Sequence, residues 1–95
     1  MSKQGLIPKY ENVKDYYGKA HLEEHINTNN DVIVSLYSYD TLVAWVNHTK
    51  EYVRVTLNPS YLTRTTMRHI KEFLRQEGFK VEGKNQILRD YGGLY

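Results

Sequence analysis

The chain has 95 residues, a formal net charge of +2 and no cysteine. A chain of this length forms one small domain with a modest core, which favours a binding surface over a deep substrate cavity. The lack of cysteine excludes disulfides, thiolate catalysis and cysteine-based metal sites. No apolar run reaches bilayer length, and the N-terminus lacks the apolar core of a secretory signal. We therefore predict a cytoplasmic protein without membrane contact.

The first 30 residues are predicted to form an appendage that is partly helical or irregular. In residues 12–26, Asn12 is a candidate helix cap, although Gly18 weakens a helix at its middle. The apolar face of this helix is ragged and consists of Val13, Tyr16, Tyr17, Ala20 and Leu22. The polar run at residues 27–31 ends it.

Within this segment, His21, Glu24 and His25 match H-x-x-E-H, the inverted zinc-peptidase signature. On a helix the two histidines lie one turn apart, and Glu72 and Glu77 are candidate third ligands. The chain is too short to build such a peptidase and its cleft. We therefore predict no metal site, no cofactor and no zinc hydrolase.

Residues 32–57 carry three strand signals separated by short connections. Short connections make neighbouring strands antiparallel, so these strands are predicted to form a meander. One of the connections is the tight turn at residues 38–41. The positions predicted to alternate on one face are Val32, Val34 and Leu36 in the first strand and Val53, Val55 and Leu57 in the third.

Residues 61–76 are predicted to form the main helix, capped by Ser60 and ended by Gly78. On a helical wheel the arc that packs on the sheet is Leu62, Thr66, Met67, Ile70, Phe73 and Leu74. The opposite arc, here called the basic row, is Arg64, Arg68, Lys71 and Arg75. The exposed flank between them is Tyr61, Thr65, His69, Glu72 and Gln76.

The predicted fold class is α+β, with a three-stranded antiparallel meander packed against one main helix. Residues 31–82 form this core, and residues 79–81 are a candidate short fourth strand at the sheet edge. Residues 1–30 form the N-terminal appendage and residues 83–95 a polar C-terminal tail.

The basic row has two interpretations. Helices of small domains present Lys and Arg to water, and Arg68 with Glu72 would be an ordinary surface pair at i,i+4. Alternatively, the row contacts phosphates or an acidic protein surface. The charge distribution favours an anionic partner weakly, since residues 1–60 carry net −1 and residues 61–95 net +3.

Thr65 and Thr66 are poor helix formers, so their hydroxyls are expected to bond to the preceding turn or to cap the backbone. A functional alternative is that Thr65 and His69 hydrogen-bond a ligand beside the basic row. The sequence places no nucleophile or carboxylate against His69 as a general base, so we predict that the protein is not an enzyme.

Two segments, SYDTLVAWV at residues 38–46 and YLTRTTMRHIKEFL at residues 61–74, carry a family resemblance. The chain resembles small, mostly uncharacterised proteins of phages and mobile elements that pair an S-Y-x-T-x-V-A strand with a Y-S-x-T-T-x-R-H-I helix. The resemblance covers residues 32–79, but Leu62 stands where serine is expected. It implies a mobile-element origin, and short accessory proteins of this kind act by binding a host protein or nucleic acid.

We therefore predict a phage-type accessory protein of the host cytoplasm that binds a host protein or complex without catalysis, as an anti-defence or regulatory inhibitor. The alternative is direct nucleic-acid binding through the basic face of the helix at residues 61–76. The predicted binding surface consists of Tyr61, Arg64, Thr65, Arg68, His69, Lys71 and Arg75.

Overall fold

The computed structural model describes residues 2–58 and 63–91. Along the chain the elements are β1 (Ser2–Gly5), β2 (Ala20–Ile26), β3 (Val32–Ser38), β4 (Thr41–His48), β5 (Val53–Leu57), α1 (Arg64–Gln76) and α2 (Lys84–Tyr91). The strands form one antiparallel sheet in the order β1-β2-β3-β4-β5. The α+β class and the meander predicted for residues 32–57 are confirmed, but the sheet has five strands within the described residues instead of three or four.

The helix predicted within residues 12–26 is wrong, because residues 20–26 form β2. Tyr17 and Gly18 both have positive φ, at 55° and 76°, and reverse the chain in a tight turn that no helix can pass through. After this turn Ala20 and Leu22 alternate inward and pair with β3. The N-terminal 30 residues thus supply two strands of the main sheet rather than a helical appendage.

The C-terminal prediction also requires correction. Residues 79–81, the candidate fourth strand, are not in a strand, and the predicted polar tail contains α2. Ile87 of α2 is fully buried in the core, and the Tyr91 ring packs edge-on against Phe79 at 5.7 Å between centroids. The short segment escapes sequence reasoning because its stability comes from these tertiary contacts rather than from helical periodicity.

Helix α1 packs on β3 and β4 through the arc that the wheel predicts. Its buried apolar residues are Met67, Ile70, Phe73 and Leu74. The N-cap is Thr63, whose hydroxyl accepts a hydrogen bond from the Thr66 backbone N–H, and not Ser60. Ser60, Tyr61 and Leu62 lie outside the described residues. Gly78, at φ 88°, follows the end of the helix as predicted.

Candidate functional site

Three members of the basic row line one groove on the surface of α1. The groove has a volume of about 400 Å³ and is lined by Arg64, Met67, Arg68, Lys71 and Lys84. Lys84 comes from α2 and was not part of the predicted surface. Arg75, the fourth predicted member, is not in this lining. Among the described lining residues there is no carboxylate, so four cations surround Met67.

A second concavity, here called the tyrosine pocket, has a volume of about 470 Å³. Thr65, Arg68 and His69 of α1 form one wall. The other walls come from residues 6–19, here called the N-terminal segment, and from the β3–β4 turn. They include Lys14, Asp15, Tyr17, Lys19 and Tyr39. Val13 and Tyr16 also line it, so the pocket brings three predicted site residues together with seven that sequence reasoning missed. Arg68 lines both the groove and the pocket.

Two tight turns hold the exposed rings of this pocket. In the turn at residues 16–19, Tyr17 and Gly18 have positive φ, and in the turn at residues 38–41 so do Tyr39 and Asp40, at 52° and 66°. Positive φ at both central positions is the type I′ geometry. The Tyr39 backbone N–H donates to the Lys19 carbonyl at 2.9 Å, which ties the two turns together. Neither turn contains the Asn-Gly pair that is typical of type I′ turns, so the sequence does not predict this turn type.

His69 does not lie on an exposed flank, as the wheel suggested, since only 2% of it is exposed. Its Nδ1 is 2.8 Å from Ser38 Oγ, and the Tyr16 ring packs edge-on against it with 4.8 Å between centroids. Burial lowers the pKa of His69, and the nearby Arg68 charge acts in the same direction. The imidazole is therefore neutral near pH 7. The helical wheel could not foresee that two loops cover this flank.

The hydroxyl groups beside His69 form a buried chain. Ser38 Oγ lies 3.4 Å from Thr66 Oγ1, which accepts a hydrogen bond of 3.1 Å from the Thr63 hydroxyl. The predicted structural role of the threonines thus holds for Thr66, whereas Thr65 lines the tyrosine pocket. Ser38 supplies the hydroxyl beside His69 that the sequence did not place. At 2% exposure the Ser38 side chain is buried, and its hydroxyl holds the His69 ring in place.

Glu72 is not the surface partner of Arg68, because it is 1% exposed and bonded elsewhere. Its carboxylate accepts backbone N–H bonds from Lys9 at 3.0 Å, Tyr10 at 3.0 Å and Glu11 at 2.8 Å, and a side-chain bond from Gln76 at 2.6 Å. Burial raises the pKa of Glu72, but these hydrogen bonds together bring it below its ordinary 4.5. Glu72 therefore fastens the N-terminal segment to α1.

Arg68 pairs instead with Glu11, whose Oε2 accepts a hydrogen bond of 2.7 Å from the Arg68 Nε. The other oxygen of Glu11 accepts a bond of 2.6 Å from the Tyr16 hydroxyl. The contact with Glu11 orients Arg68 and uses only its Nε–H. A guanidinium group has five N–H donors, so the four N–H groups of the two terminal nitrogens take no part in that bond. The side chain is 45% exposed.

The H-x-x-E-H match lies on strand β2 and not on a helix. Residues four apart on a strand are about 13 Å apart, too far for His21 and His25 to share one metal ion. The His21 ring stacks on Tyr37 at 4.8 Å. Of the candidate third ligands, Glu72 holds the backbone and Glu77 accepts from His48 at 3.1 Å. No group of three or more metal-ligating side chains occurs among the described residues.

In a comparison with known protein families, a family of unknown function, DUF8033, matches the chain over residues 5–89. Searches of curated proteins and of solved structures return no match. Within residues 2–58 and 63–91, no helix has the length and apolar character needed to cross a membrane.

Proposed function

This chain belongs to the DUF8033 family, whose function is unknown, and we propose from its geometry that it is a non-catalytic binding protein for single-stranded nucleic acid. In this proposal the groove of Arg64, Arg68, Lys71 and Lys84 contacts the phosphates, and the adjoining tyrosine pocket contacts a base. A cytoplasmic setting and an origin in a phage or mobile element belong to the same proposal.

The observation that carries the proposal is the cation-lined groove. The described lining residues of this groove are four cations and Met67, with no carboxylate among them. Two helices contribute to it, since Lys84 comes from α2. A converging set of cations suits a ligand that carries several negative charges close together, as a phosphate backbone does.

The adjoining pocket favours a single strand over a duplex. Proteins that bind single strands combine a basic groove with aromatic side chains on which unpaired bases stack. Tyr17 and Tyr39 are 72% and 55% exposed, and Arg68 connects their pocket to the groove. The sequence-based preference for a protein partner followed from the family resemblance, and this juxtaposition of groove and pocket favours the alternative, direct nucleic-acid binding.

The second candidate remains a host protein with an acidic surface, bound as an anti-defence or regulatory inhibitor. Tyrosine and arginine are the residue types that dominate the binding energy of protein interfaces. Arg68 beside Tyr17 and Tyr39 therefore also suits a protein partner.

Fluorescence anisotropy with labelled single-stranded DNA, single-stranded RNA and duplex DNA tests the proposal. Four neutralised phosphates on a single strand predict a slope of about −3 in log affinity against log salt, or about 50-fold weaker binding at 200 mM than at 50 mM salt. A variant combining Arg64→Gln, Lys71→Gln and Lys84→Gln should reduce the slope to about −1.

The charge-matched control combines Lys50→Gln, Arg54→Gln and Arg75→Gln, which removes three cations outside the groove. It should bind single strands more tightly than the groove variant does. Equal losses in the two variants would mean that net charge alone matters, and the groove assignment would be wrong. Absence of strand binding at 50 mM salt would favour the protein partner.

A further inference from the structure

The tyrosine pocket has the features of a built ligand site. His69 lines it and is 98% buried, and its Nδ1 is taken by Ser38. Within the described residues, the bond between Nδ1 and Ser38 is the hydrogen bond that the His69 ring makes. The other ring nitrogen, Nε2, can therefore bond a ligand in the pocket. Two packed neighbours, Ser38 and Tyr16, fix the ring, so this polar group is presented in one orientation.

The charged lining of the pocket suits a phosphate group. Lys14, Lys19 and Arg68 contribute three cations and Asp15 one carboxylate. Asp15 Oδ1 already accepts the Tyr17 backbone N–H at 3.0 Å, so it helps to shape the turn. Glu11 holds Arg68 through Nε, and the donors of the terminal nitrogens form a fork that matches phosphate oxygens.

The exposed rings suit a flat aromatic group. Tyr17 and Tyr39 sit at left-handed positions of adjacent turns, and both line the pocket. The Lys19 ammonium lies 6.0 Å from the centroid of the Tyr39 ring, which places a cation beside a stacking surface. A volume of about 470 Å³ lies within the range of small-molecule sites.

We propose that the tyrosine pocket binds a nucleoside monophosphate unit, with its base on the rings of Tyr17 and Tyr39 and its phosphate on Lys14, Lys19 and Arg68. His69 Nε2 hydrogen-bonds the same unit at the floor of the pocket. The unit is either a free mononucleotide or the phosphorylated end of a single strand. Binding of a strand end rests on the proposed function, because it requires that the protein bind single strands. Binding of a free mononucleotide does not depend on that function.

Isothermal titration calorimetry with adenosine 5′-monophosphate, adenosine and inorganic phosphate tests this site. The monophosphate should bind about tenfold or more tightly than either part, because rings and cations act together. Two short strands of the same sequence, one with a 5′ phosphate and one without, are then tested as competitors of the mononucleotide. If only the phosphorylated strand competes, the strand end is a source of the bound unit. Competition by neither strand identifies the free mononucleotide.

Ring-removing variants link the binding to the pocket. Tyr17→Asn and Tyr39→Asn remove the rings at positions where asparagine tolerates positive φ, and the first puts asparagine before Gly18, the favoured type I′ pair. Each should weaken the mononucleotide about tenfold. Tyr52→Asn removes a ring of similar exposure, 52%, outside the pocket and should leave affinity within about twofold.

Three results would overturn the inference: phosphate binding as tightly as the mononucleotide, equal effects of Tyr39→Asn and Tyr52→Asn, or no mononucleotide binding to the intact protein. If the intact protein binds strands in the groove assay but no mononucleotide, the pocket assignment fails while strand binding by the groove stands. If mononucleotides bind and strands do not, the pocket is a small-molecule site and the groove proposal fails.

Discussion

Glu72→Gln tests whether one buried carboxylate holds the N-terminal segment in place. In the wild type, both carboxylate oxygens accept backbone N–H bonds from residues 9–11, and one also accepts from Gln76. An amide has only one accepting oxygen, so its NH₂ group would face N–H donors that it cannot bond. The substitution keeps the size of the side chain, which makes it a change of hydrogen bonding rather than of packing.

Its cost follows from the bonds that are lost. Hydrogen bonds to a charged group contribute about 1.5–3 kcal/mol each, and one or two of them cannot form with glutamine, so the free energy of unfolding should fall by about 2–4 kcal/mol. For a domain of this size, 1 kcal/mol lowers Tm by about 4–8 °C, so a loss of about 2–4 kcal/mol predicts a Tm about 8–32 °C lower. Thermal melts by circular dichroism measure this difference.

Glu77→Gln, at the C-cap of α1, is the matched control. Glu77 accepts one hydrogen bond from His48, whose side chain is 37% exposed, so its loss should cost at most about 1 kcal/mol. Amide hydrogen exchange supplies a second readout, because Glu72→Gln should deprotect the amides of residues 9–11 even if the segment detaches without global unfolding. Unchanged Tm together with unchanged exchange at these amides would refute the reasoning.

The same contact predicts a pH dependence. The pKa of Glu72 in the folded protein lies below the ordinary 4.5, so its stabilising contribution is complete above that pH and is lost as the pH falls through the lower folded-state pKa. The Glu72→Gln variant lacks this contribution. The gap in Tm between wild type and variant should therefore narrow below about pH 4.5, and a gap that is constant down to pH 2 would contradict the assignment.

Two further predictions concern the core and the metal match. Phe73 is 1% exposed, so Phe73→Ala should cost about 3–5 kcal/mol in a denaturant melt, and a cost below about 1 kcal/mol would mean that α1 does not pack as described. Because His21 and His25 lie on a strand, the purified protein should carry no stoichiometric zinc by elemental analysis; one zinc per chain, lost on His21→Ala, would overturn this.

Local sequence patterns predicted the parts of the fold that carry strong periodicity. The alternation in residues 32–57 and the wheel of α1 are properties of a few consecutive residues, and both the meander and the buried arc of α1 are confirmed. Strand β2 was missed because only Ala20 and Leu22 of its seven residues are buried, which leaves a weak alternation. Gly18, which lies in the turn before this strand, was interpreted as an unfavourable residue inside a helix.

The site was predictable only where it lies on α1. Arg64, Arg68 and Lys71 follow from the wheel, but Lys84 joins them through the packing of a second helix. The burial of His69 and Glu72 depends on loops from distant parts of the chain, which no helical wheel represents. Long-range contacts thus decided which polar residues of α1 are structural and which line the surface.

The bond between the Lys9 backbone and Glu72 spans 63 positions of the chain. During synthesis residues 9–11 leave the ribosome before Glu72, and the carboxylate that binds them follows only after strands β2 to β5 have been made. Ordering this segment requires closing a long loop, a step whose entropic cost delays it relative to local hairpins. Residues 6–19, which form most of one wall of the tyrosine pocket, are therefore expected to be among the last to fold. In a nascent chain that ends before α1, these residues would lack the Glu72 carboxylate that binds them.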